Sequence, residues 1–305
     1  MGMNDMMKSE GGLRPRPYFG PGGMTQGDWT GSGPIGPVNT NDPGPKPVRE
    51  ARRTRMRPRV GSGADFTFES LLRSYIGGQK TFRFPTDGNP RTTASIQAMA
   101  ASLYGLRVIG VDSGHIIVKD GLGEAEICPR AAVRRLHLGT RAILQEAASS
   151  AAKANADQAI ESWLAEVERL GWLINRQYNL LEMDGALARR LGIQPSKALS
   201  YLLVSANLRN IAEAAAGLEG DGKGLLTEEE ARRMHWTGDL LCRLLDSVFF
   251  GAFLAQDREQ AARIIEAVDN PRFGFQGGGP VAIAVGRIGL AVRDIASIVQ
   301  ELHAK

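Results

Sequence analysis

Thiols are scarce in this chain. Of 305 residues only Cys128 and Cys242 are cysteines, far apart in sequence. They form neither a disulfide framework nor a zinc spacing, and buried thiols in a reducing compartment are expected. Aromatic residues are also few, at 6%. With abundant alanine and leucine, that favours helices packed through small and aliphatic side chains over a β-sandwich. No apolar run approaches the roughly 18 residues that cross a bilayer. The polar N-terminus has no apolar signal core, so a cytoplasmic protein without membrane insertion is expected. The four histidines, at 115, 137, 235 and 303, are scattered, and no GxSxG motif is present. No nucleophile constellation is legible, so no enzyme is expected.

Positive charge is concentrated at one end. Residues 1–60 hold 10 Lys/Arg against 5 Asp/Glu, and the remainder hold 27 against 28. The body is close to neutral and offers no broad footprint for nucleic acid. Residues 1–64 are rich in Gly, Pro, Ser and Asn and cannot bury enough apolar surface to offset their ordering entropy, so a disordered tail is expected. Its end carries Arg49, Arg52, Arg53, Arg55, Arg57 and Arg59. These six are candidates for contact with nucleic acid or an acidic partner, against the plainer reading of a solvated linker.

Residues 65–126 read as a small α/β module. FTFESLLRSYI suggests a helix, KTFRFP a strand, and TTASIQAMAASLYG a helix stopped by Gly105. LRVIGVD and HIIVKDG form a hairpin about Asp112–Ser113–Gly114. His115 at that turn is expected to be a satisfied surface residue.

From Pro129 onward the periodicity is helical. Val133, Leu136, Thr140, Ile143 and Ala147 share one face of the first helix. In AEVERLGWLINRQYNLL, residues 165–181, Val167, Leu170, Ile174, Tyr178 and Leu181 form one stripe, which Ile160, Trp163 and Leu164 extend upstream. That helix is expected to run from Asp157 to near Gly192. Three helices, a glycine-rich break and three more suggest a duplicated antiparallel bundle, residues 127–219 and 224–305. The expected fold is mainly α, with two tandem three-helix bundles behind the α/β module and the tail.

Two glycine-rich segments admit a ligand reading. EGDGKGLLTEEE, residues 219–230, has partial calcium-loop spacing, but Lys223 occupies a ligand position. A flexible helix end followed by a Thr227/Glu230 capping box explains the same letters. Gly277–Gly279 precede the last helix without the strand or lysine of a P-loop; a linker is expected.

Four segments together resemble the PhoU family, in particular its archaeal branch: ICPRAAVRRLHLGTRAIL (127–144), AEVERLGWLINRQYNL (165–180), SYLLVSANLRNIAEAA (200–215) and AVGRIGLAVRDIASIV (284–299). The resemblance covers roughly residues 66–303. It implies a non-enzymatic regulator of phosphate uptake and phosphate signalling that docks on a phosphate ABC transporter ATPase or a sensor kinase. Homodimerisation stays open. Archaeal relatives often begin with an AbrB-like DNA-binding domain, which residues 1–64 do not resemble. Family members can hold iron or other divalent metals on acidic pairs four residues apart. Here those pairs read Leu164/Glu168, Arg209/Glu213 and Gly286/Leu290. Glu166, Glu168 and Glu213 are therefore the metal candidates, if other carboxylates complete a shell. Otherwise they are surface charges or ion-pair partners, as in a pairing of Glu168 with Arg209. The alternative functions are a divalent-metal-binding bundle and a DNA-associated regulator using the arginine tail.

Overall fold

Thr67 accepts a hydrogen bond from the Ser70 amide and opens helix α1, Phe68–Ile76. A computed structural model of the chain describes residues 67–122, 128–150, 157–220, 228–270 and 280–302. The readings of residues 1–64, of Arg49 to Arg59, of the central letters of 219–230 and of Gly277–Gly279 lie outside the described residues.

Strand β1, Thr81–Pro85, follows α1. Asn89 caps helix α2, Pro90–Ala101, whose first residue is a proline that has no amide to leave unpaired. Gly105, at φ +81°, turns the chain into β2, Leu106–Asp112, which pairs antiparallel with β3, His115–Asp120. The sheet order is β1-β3-β2. Register places Phe82 beside Val118 and Phe84 beside Ile116. These four side chains face Leu71 and Tyr75 of α1 and Ile96 and Ala100 of α2, forming a core of their own. The α/β module read from the sequence is present element by element. His115 Nδ1 lies 3.0 Å from the Ser113 carbonyl, a local contact at the turn.

The helical body comprises α3 (Pro129–Ser150), α4 (Asp157–Met183), α5 (Gly185–Arg190), α6 (Pro195–Gly220), α7 (Glu228–Asp246), a π-helical segment (Ser247–Leu254), α8 (Arg258–Asp269) and α9 (Pro280–Leu302). The fold is mainly α. All five apolar-face residues predicted on α3 are fully buried. On α4 the stripe holds at Ile160, Val167, Leu170, Ile174 and Leu181, whereas Trp163 remains 41% exposed. Two boundaries differ from expectation. The helix read as reaching Gly192 ends at Met183, because the Asp184 side chain accepts from the amides of Ala186 and Leu187 and starts α5. The helix read through SVFFGAFLA widens to π geometry at Ser247, which periodicity does not signal.

The helices of 127–219 and those of 224–305 share one continuous apolar core, drawn from α3, α4, α6, α7, the π segment, α8 and α9. Helix α6 packs most extensively on α9 across the two sets, and α3 also contacts α7. Thr140 Oγ1 donates to the Leu208 carbonyl at 3.2 Å and ties α3 to α6 inside that core. No helix among the described residues is long and apolar enough to cross a membrane.

Candidate functional site

The module meets the helical body along a seam of arginines and aromatic rings. Residues spaced three and four apart on α4 share a face, and Glu166, Arg169, Trp172, Arg176 and Asn179 follow that spacing. Asn179 Nδ2 donates to the Ile76 carbonyl at 3.1 Å. Arg176 is 2% exposed. Its guanidinium pairs with Asp120 Oδ2 at 2.5 Å, donates to the carbonyls of Tyr75 and Gln79, and lies over the Tyr75 ring at 4.6 Å. The Tyr75 hydroxyl donates to the Tyr104 carbonyl at 3.0 Å.

One layer outward, the Tyr104 hydroxyl donates to Glu166 Oε1. Arg135 Nη2, from α3, lies 2.6 Å from the same oxygen. Arg169 Nη1 approaches Glu166 Oε2 at 3.7 Å while its guanidinium covers the Tyr104 ring at 4.6 Å. Farther along, Arg209 of α6 lies over Trp172 at 4.6 Å. Burial sets the protonation of both phenols. It holds the Tyr75 hydroxyl well above its ordinary range, with Asp120 adding to the effect and Arg176 opposing it. It pushes Tyr104 up to about 12, reinforced by the bond and charge of Glu166 and opposed by Arg135 and Arg169. The seam therefore presents neutral phenols, two carboxylates and several fixed cations: a clamp, and a place where oxyanions meet guanidinium groups.

The predicted metal candidates are not brought together. Glu166 is spent on Tyr104, Arg135 and Arg169. Glu168 and Glu213 are exposed on α4 and α6. Among the described residues no group of three His, Cys, Asp or Glu side chains could hold a metal ion. The expected Glu168–Arg209 pair is not formed either. Gly171 has no side chain, so the Arg209 stem crosses α4 there: a Cβ at position 171 would lie 2.5 Å from Arg209 Cδ. Of the two thiols expected to be buried, Cys242 is buried and Cys128 is exposed. Burial pushes the Cys242 thiol up to about 11.

A second polar group lies outside the residues predicted from the sequence. His137 is fully buried on α3, stacked on Phe249 of the π segment at 4.2 Å between ring centres. Its Nε2 lies 3.2 Å from Asp246 Oδ1, off the line a hydrogen bond requires, and Nδ1 has no hydrogen-bond partner among the described residues. Arg141 Nε bonds Asp246 Oδ2 at 2.9 Å. Burial alone would raise the Asp246 carboxyl, but His137 and Arg141 outweigh it and hold the group below its ordinary value. One available signal was the position of His137 three residues before Thr140 on the buried face of α3. Set against known protein families, curated proteins and solved structures, the chain matches none of them.

Proposed function

We propose that this protein is a non-enzymatic regulator that works by docking its helical body on a partner protein, in the manner of the PhoU family, and that it controls phosphate uptake and signalling. The observation that carries the docking part is the outer face of α9. Ile283 and Leu290, two turns apart, are 65% and 60% exposed. Gly286 lies between them with open space around it. The opposite face, Val285, Ile288, Val292, Ile295 and Val299, is buried. An amphipathic helix that keeps a second apolar stripe in water is suited to recognition by another helix or groove. Helix α6 carries a shorter stripe, Leu199 and Leu203, each 42% exposed.

The phosphate part rests on the four resembling segments, one of which, 284–299, runs along α9. Deleting the gene is expected to raise phosphate uptake in phosphate-replete cells, as loss of a repressor does. The double substitution Ile283→Asp/Leu290→Asp leaves the buried face untouched and is expected to reproduce the deletion with the protein still folded by circular dichroism. Unchanged uptake in the deletion strain would remove the phosphate reading. Normal regulation by the double variant would remove α9 as the docking face.

A further inference from the structure

We propose that Arg135, Arg169 and the Tyr104 hydroxyl form a receptor for a phosphate-type oxyanion, with Glu166 as the internal counter-ion that occupies it until such an anion arrives. The binding does not rest on the docking reading.

Three donors converge on one carboxylate, but two cations face a single negative charge. Arg135 spends one N–H on Glu166 Oε1, at 2.6 Å. Arg169 reaches the other oxygen only at 3.7 Å, beyond hydrogen-bond range. Arg169 Nε is buried and has no hydrogen-bond partner among the described residues. An unmade buried donor costs on the order of 1–3 kcal/mol, which a pairing built solely for stability avoids. The two guanidinium groups can be reached: the side chains of Arg135 and Arg169 are 64% and 37% exposed, against 16% for Glu166.

Charge selects the ligand class. A monocarboxylate would only exchange with Glu166, which has the advantage of being tethered. A phosphate group carries up to two charges and enough acceptor oxygens to take planar N–H pairs from both arginines while neutralising both. It therefore gains where a carboxylate breaks even.

The test is a titration of the full chain at constant ionic strength with inorganic phosphate and, separately, acetate, following the melting temperature. Vesicles of phosphatidylcholine with and without phosphatidic acid form the second arm, read by co-sedimentation. Phosphate is expected to raise the melting temperature and acetate not to. Glu166→Gln, which removes the internal competitor, is expected to tighten phosphate binding about tenfold, and Arg169→Gln to abolish it. Should Arg169→Gln fail to fold, Arg135→Gln, at a largely exposed side chain, takes its place. Binding of the acidic vesicles alone, lost in the arginine variant, supports the same chemistry with a lipid headgroup as its source. No response to phosphate or acidic vesicles overturns the proposal, as does an equal response in the arginine variant or no tightening in Glu166→Gln. Those negative results leave the uptake phenotype of the deletion strain untouched, so the two readings fail separately.

Discussion

At the scale of single residues, burial separates groups that look alike in the sequence. Cys128 is exposed and Cys242 buried, the latter with its thiol pushed up to about 11. Only a thiolate alkylates readily, so one thiol per folded chain is expected to react with iodoacetamide at pH 8, and two after denaturation. Two fast-reacting thiols in the folded chain would contradict the packing of α7. The tyrosines give a second measurement. Tyr75 and Tyr104 are held above the ordinary phenol range, Tyr104 at about 12. A group favoured in its neutral form by folding contributes stability below its unfolded pKa and loses it as pH rises through the folded one. Stability is therefore expected to fall between pH 10 and 12. Absorbance at 295 nm should show three of the five tyrosines ionising late, because burial raises Tyr201 as well. Asp246 works the other way. Its lowered carboxyl contributes stability above the ordinary Asp value, and that contribution is lost as pH falls through the folded one. None of this was legible from residue type, because each shift depends on a neighbour brought by another element.

At the scale of elements, periodicity revealed the rods and missed their irregularities. The buried face of α3 follows from spacing alone. The start of α5 depends on a single capping aspartate, and the π segment, whose Phe249 stacks on His137, has no periodicity that sets it apart. Interhelical distance is equally hidden. Gly238 sits where α7 crosses α3, and a Cβ there would lie 2.1 Å from the Ala148 Cβ. That is a clash with a neighbour that cannot rotate away. Gly238→Ala should gain helix propensity, about 1 kcal/mol, yet it is expected to destabilise the protein on balance, because overpacking a tight contact costs about 1–3 kcal/mol or more. Thermal unfolding of the variant checks the sign. A raised melting temperature would mean that α3 and α7 can part at no cost.

At the scale of the whole molecule, the module and the helical body have separate apolar cores, joined by the polar seam and by Tyr104 and Leu122 packing on the body and Trp172 packing on the module. Both parts are legible in the sequence because each has its own periodicity. The seam is not, because Asp120, Arg176 and Tyr75 come from distant segments and follow no motif. Arg176 and Asp120 are almost entirely buried, so removing one partner strands a charge, at a cost of about 3–5 kcal/mol. Arg176→Met is expected to lower stability by that order. Asp120→Asn added to it should recover part of the loss by removing the stranded carboxylate. Hydrogen exchange distinguishes a clamp from a local defect. If the seam couples the two cores, Arg176→Met speeds exchange throughout the sheet of β1–β3, including the Phe84 and Ile116 amides toward the other end of the β1–β3 ladder, while the α6–α9 contact stays protected. Exchange accelerated only around Tyr75 and Gln79 would mean that the module holds to the body by other contacts, and that Arg176 supports its own neighbourhood alone.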